Sequence, residues 1–157
     1  MNLKYTLVFS AGFISCVLLF YIFSILNLNI PLTGLTIKEN LSPSNRITND
    51  DILVYNDKIV LKIPNITISN YADTGSMKPF LDENTNGIKI VPKSPSDIQV
   101  GDIISFRSSG KLIVHRVIEK GIDEKGVYFL TKGDNNQLND GKVRFEDVEY
   151  ITIGVLW

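Results

Sequence analysis

Between Lys4 and Lys38 the chain carries no charged side chain, and this gap divides it into two stretches with different folding options. Thirteen Leu, Ile, Val or Phe residues lie between Tyr5 and Leu26. At about −0.3 to −0.6 kcal/mol each, they favour a bilayer by roughly 4 to 8 kcal/mol. A helix of about 20 residues crosses the hydrocarbon core, and Asn27, Asn29 and Pro31 mark where such a helix stops. The expectation is one transmembrane anchor over 5–30. Lys4 is the nearest positive charge and precedes the span, which puts 1–4 in the cytoplasm and the rest outside it. The alternative is a cleaved secretory leader. Span length favours a retained anchor, and Ser24-Ile25-Leu26 is a poor small-x-small cleavage site.

Residues 31–50 are rich in Thr, Ser, Asn and Pro without sustained periodicity, and read as a linker. From 51 to 157 the pattern is β. Ile52-Leu53-Val54-Tyr55, a turn at Asn56-Asp57, and Ile59-Val60-Leu61-Lys62-Ile63 read as a hairpin. Further strands are expected over 66–69, 88–91, 102–107, 111–118 and 127–131, with a last one over 150–156. Ser108-Ser109-Gly110 and Asp123-Glu124-Lys125-Gly126 supply turns. Six or seven short strands with regular turns predict a mainly β fold, a small antiparallel barrel or sandwich.

Composition narrows the functions. The net charge is −1, from 16 basic and 17 acidic residues, which argues against a nucleic-acid binder needing a basic face. A 44% hydrophobic fraction excludes a wholly disordered chain. One cysteine, Cys16, and one histidine, His115, exclude an internal disulfide framework, a cysteine-based zinc site and a multi-histidine metal centre.

Singly, the candidate reactive residues are ordinary. Ser76 reads as a turn residue, Asp134 as a loop residue, and His115 as a polar residue within Leu112-Ile113-Val114-His115-Arg116-Val117. Their context is less ordinary. Gly75 lets another backbone approach Ser76, and Pro79 stiffens the segment. An imidazole in an apolar strand needs a polar partner, which a catalytic dyad supplies.

Four ordered blocks then stand out: Thr74-Gly75-Ser76-Met77-Lys78-Pro79; Val100-Gly101-Asp102-Ile103-Ile104; Val114-His115-Arg116-Val117; and Thr131-Lys132-Gly133-Asp134-Asn135-Asn136 followed by Asp140. Together, behind an amino-terminal apolar span, they resemble the signal peptidase I family, in the branch of archaea, the endoplasmic reticulum and some Gram-positive bacteria. The resemblance covers roughly 70–140 and the anchor. It implies that Ser76 is the nucleophile, that His115 replaces the lysine of the bacterial branch as base, and that Asp140 completes a Ser-His-Asp triad. It gives Asp134 a supporting role and Thr74 a place beside the Ser76 N–H in the oxyanion hole, and marks Gly101-Asp102 as a structural turn. Phe80 departs from the family, which usually has threonine there.

The implied chemistry is coherent. A serine hydroxyl needs a neighbouring base, an imidazole of pKa about 6.5 serves near neutral pH, and a carboxylate holds the correct tautomer. The resemblance implies a membrane-anchored serine endopeptidase that removes signal peptides, with a peptidase domain over 51–157 on the outer face of a cell membrane or in the endoplasmic reticulum. It implies no cofactor and no metal. Partners are preproteins bearing signal peptides and the lipid bilayer, with accessory subunits left open and nucleic acid excluded. Two other readings stay open: a non-catalytic, membrane-tethered β module, and a protease of the same chemistry dedicated to a few surface proteins.

Overall fold

The computed structural model describes residues 12–19, 21–22 and 40–157. Residues 12–19 and 21–22 are helical. The remainder of the expected anchor over 5–30, and the 1–4 segment, lie outside the described residues. Among the described residues no helix is long and apolar enough to cross a membrane. The chain divides between Lys38 and Glu39, and the second unit contains nine strands among its described residues.

These strands are β1 (Ile52–Val54), β2 (Ile59–Leu61), β3 (Ile66–Asn70), β4 (Asn86–Ile90), β5 (Ile103–Ser108), β6 (Lys111–Asp123), β7 (Gly126–Lys132), β8 (Lys142–Arg144) and β9 (Val148–Leu156). β1 and β2 form the expected hairpin, with Ile52 opposite Leu61. The other seven make one antiparallel sheet in the order β3-β4-β9-β5-β6-β7-β8. The mainly β, antiparallel expectation matches this arrangement, but the barrel does not. Among the described residues β3 pairs only with β4 and β8 only with β7, so the sheet has two ends. Closure requires every strand to pair on both sides with a consistent stagger. A three-residue β8 and a five-residue β3 are instead the short strands with which open sheets blunt their edges. β8 itself is absent from the sequence reading, because Lys142-Val143-Arg144 is too short for alternation to register.

Side-chain alternation along β5 separates two apolar clusters. Ile104 and Phe106 face Ile98, Val117, Phe129, Val143 and Ile151, while Ile103 faces Met77 and Leu81. Residues with both neighbours buried, as along Ile103-Ile104-Ser105-Phe106, mark a central strand covered on both faces. The segment 40–50, read in sequence as part of a linker, is held to this unit. Fully buried Asp102 accepts the Ser44 backbone N–H at 2.8 Å and the Arg46 guanidinium at 2.5 Å, together with the Gln99 N–H at 2.9 Å. A buried carboxylate requires such partners, and Asp102 finds them in the segment before β1.

Candidate active site

His115 sits where the sheet changes width. On one side of β6, Ile104 of β5 lies opposite His115. On the other, β7 pairs with β6 only from Arg116 onward, where Arg116 faces Lys132. Beyond that point β7 gives way to the 133–141 loop, which carries Asp134 and Asp140 past the imidazole. Phe106 packs near the ring, with centroids 6.5 Å apart, and His115 is 6% exposed.

Ser76 lies in the turn-rich connection from β3 to β4. Gly75 has φ +68°, a conformation that favours glycine, and its carbonyl accepts the Lys78 N–H. The Leu81 N–H bonds to the Met77 carbonyl, and the buried Met77 and Leu81 fix the turn to the core. The acid loop is tied to this turn directly. The Asn135 N–H donates to the Ser76 carbonyl at 2.8 Å, and its side-chain amide to the Gly75 carbonyl at 3.0 Å. Gly133 approaches so closely that a Cβ there would stand 2.6 Å from the Ser76 carbonyl oxygen.

The structure brings Ser76, His115 and Asp140 into one line of hydrogen bonds. Asp140 Oδ2 lies 2.6 Å from His115 Nδ1, and His115 Nε2 lies 3.1 Å from Ser76 Oγ. An ionised carboxylate only accepts, so this contact keeps the ring hydrogen on Nδ1 and leaves the Nε2 lone pair facing the serine hydroxyl. Thr74 is also adjacent. The Ser76 N–H donates to Thr74 Oγ1 at 3.4 Å, and the two hydroxyl oxygens are 3.0 Å apart. With the Ser76 hydrogen directed at His115, the Thr74 hydroxyl is the donor to Ser76 Oγ. The serine oxygen is thereby oriented from both sides.

Asp134 is placed apart from this line. Arg116 grips it with two bonds, Nε to Oδ1 at 2.8 Å and Nη2 to Oδ2 at 2.7 Å, and the remaining guanidinium nitrogen donates to the carbonyls of Leu41 and Gly101. Phe80, the residue that departs from the family pattern, takes Arg116 over its ring at 5.7 Å and meets Trp157 edge-on at 6.2 Å.

Three contributors escaped the sequence reading. Fully buried Thr131 donates its hydroxyl to Asp140 Oδ2 at 2.8 Å, and its carbonyl accepts the Asp140 N–H at 2.9 Å. Arg116 was legible as a charge within an apolar run that must find a counter-ion, and Asp134 lies one loop away. Lys89 stands between Ile88 and Ile90 in β4 and is buried. Of these three, Lys89 lines an open cleft of about 570 Å³, together with Thr74, Ser76, Met77 and His115.

Comparison with known proteins finds partial likenesses. The chain is 36% identical over 69 residues to the signal peptidase complex catalytic subunit SEC11 of Clavispora lusitaniae. The match covers 43% of this chain and 40% of that relative, so it spans well under half the relative's length. No family model matches the chain. No solved structure matches it. At the level of family, the likeness agrees with the signal peptidase resemblance of the four sequence blocks.

Proposed function

We propose that the chain is a membrane-anchored serine endopeptidase that removes signal peptides from exported preproteins. The observation that carries this reading is the Ser76–His115–Asp140 line, with Nε2 at 3.1 Å from the serine oxygen and Nδ1 at 2.6 Å from the carboxylate. The partial match to a catalytic subunit of a signal peptidase complex supports the substrate class, and leaves room for accessory subunits.

In this mechanism Ser76 Oγ attacks the scissile carbonyl as His115 Nε2 takes its proton, and Asp140 stabilises the imidazolium that forms. The carbonyl oxygen becomes an oxyanion, for which the Ser76 N–H and the Thr74 hydroxyl are the nearest donors. In the free site the Ser76 N–H donates to Thr74 Oγ1 and the Thr74 hydroxyl to Ser76 Oγ, so substrate binding must turn both donors to the new oxyanion. Such donors contribute about 3 to 4 kcal/mol in comparable sites. The imidazolium then protonates the leaving amine, and water attacks the acyl-enzyme with His115 again as base. An apolar span over 5–30 would hold enzyme and preprotein on one bilayer surface and raise their effective concentration.

Among the described residues, the Lys111-to-Val114 stretch of β6 pairs only with β5. Its free edge borders the cleft, a fitting place for an extended substrate segment to lie. The test is to incubate the detergent-solubilised chain with a preprotein bearing an Ala-x-Ala site and to locate the cut by mass. A single cut after the second alanine is the expected result. An intact preprotein, or cuts scattered through its mature part, would contradict the reading.

A further inference from the structure

Lys89 is 3% exposed, lies in β4 with Thr67 of β3 and Thr152 of β9 opposite it, and lines the same cleft as Ser76 and His115. Among the described residues its ammonium makes no hydrogen bond and no ion pair. It lies over the face of Tyr71, 4.6 Å from the ring centroid. Tyr71 is itself pinned, with its hydroxyl 3.1 Å from Thr152 Oγ1 and its ring filling the space over Gly87.

The stem of Lys89 is buried while its ammonium opens onto the cleft; a partly desolvated charge without a counter-ion is costly, and a cation–π contact offsets only part of that cost. Burial accordingly holds the Lys89 pKa below the ordinary lysine value. An apolar residue would fill the position at less expense, since Ile88 and Ile90 flank it in the same strand. The neighbouring charge in the cleft lining is a second cation, Lys111, and neither Asp nor Glu lines the cleft among the described residues. Lys89 is also not placed as an alternative base, because the nitrogen bonded to Ser76 Oγ is that of His115.

We propose that Lys89 is a specificity residue: its ammonium receives the carboxylate of an acidic substrate side chain near the scissile bond, so that the cleft prefers peptides carrying Asp or Glu at one position. This rests on the peptidase reading of the cleft. The substrate carboxylate supplies the missing counter-ion, and a charge-assisted hydrogen bond in a partly desolvated cleft is stronger than a neutral one. An amide at the same position leaves the ammonium unpaired and is selected against.

The test uses the full chain in detergent and paired peptides containing an Ala-x-Ala site, with Glu or Gln walked one position at a time through the residues flanking the cut. At one position kcat/KM for Glu should exceed that for Gln by about tenfold. The ratio should fall toward unity in Lys89→Met and stay above unity in Lys89→Arg; Lys89→Gln replaces the Met variant if that one does not fold. A ratio near unity at every position in the wild type, or an unchanged ratio in Lys89→Met, overturns the proposal. Should no peptide be cut, the peptidase reading fails separately, and the pairs are then compared by binding to Ser76→Ala with fluorescence anisotropy. Tighter binding of the Glu peptide that is lost on adding Lys89→Met upholds the carboxylate site, and equal binding of both peptides overturns it. A further pair ending at the cut, as free acid or amide, tests the other source of a carboxylate. Discrimination confined to that pair would assign Lys89 to a chain terminus and overturn the side-chain reading.

Discussion

Arg116 holds Asp134 through two parallel bonds of 2.8 and 2.7 Å, one residue beyond the histidine that meets Asp140. Both partners are buried, with side chains 7% and 3% exposed. Removing one member of such a pair leaves an unpaired buried charge and costs about 3 kcal/mol or more. Asp134→Asn should therefore lower the melting temperature by about 10 °C while reducing kcat far less than changes at Asp140. Calorimetry alongside peptide turnover checks this. A crippled kcat at an unchanged melting temperature would assign Asp134 to the chemistry instead.

Asp140 should show the reverse pattern. Its side chain is bonded to His115 and Thr131, so Asp140→Asn disturbs the tautomer of the ring more than the packing. By analogy with the amide replacement in another serine protease, kcat should drop about 10⁴-fold with a small change in melting temperature. Thr131→Val removes only the hydroxyl that orients the carboxylate. It should cost about 1 kcal/mol in stability and a smaller loss of kcat than Asp140→Asn. Equal losses in the two variants would mean that Thr131, and not the carboxylate itself, limits the rate.

The closeness of Gly133 to Ser76 makes a third prediction. A Cβ at Gly133 would stand 2.6 Å from the Ser76 carbonyl oxygen, so Gly133→Ala must push the serine turn and the acid loop apart. A displacement of about 1 Å can cost roughly a hundredfold in rate. Turnover by Gly133→Ala should fall by that order, and an unchanged kcat would show that the two loops do not need this contact.

Much of this arrangement could be read before any coordinates. Alternation placed eight of the nine strands near their observed positions, and the Gly75-Ser76 and Val114-His115 blocks marked the two elements that meet. Reading failed where the deciding contact is long-range. Nothing local to Thr131 shows that its hydroxyl meets Asp140, nine residues on. Nor does the polar composition of 40–50 reveal that Asp102 binds Ser44 and Arg46. The open sheet was missed for a similar reason. Strand count alone does not say whether the end strands meet, and here that turns on the short edge strands β3 and β8.

Acid should weaken one exposed cluster away from the cleft. Asp123 accepts bonds from Arg144 and Lys142, each of which holds its carboxyl well below the ordinary value of 3.8. A carboxyl whose folded pKa is depressed adds stability above its unfolded value, and that contribution disappears as pH falls through the folded value. The melting-temperature gap between wild type and Asp123→Asn should therefore be full above about pH 4 and narrow steadily below it. A gap that is constant, or that widens in acid, would contradict this.

Whether Ser76, His115 and Asp140 act as one catalytic unit is measured by comparing kcat for Ser76→Ala, His115→Ala and the double variant on one preprotein. In another serine protease, loss of the nucleophile or the base costs about 10⁶-fold, and removing both costs little more. Losses of that order are expected in each single variant, with a double variant no worse than either and melting temperatures near that of the wild type. Near-normal turnover by Ser76→Ala, or losses that multiply in the double variant, would contradict action as one unit.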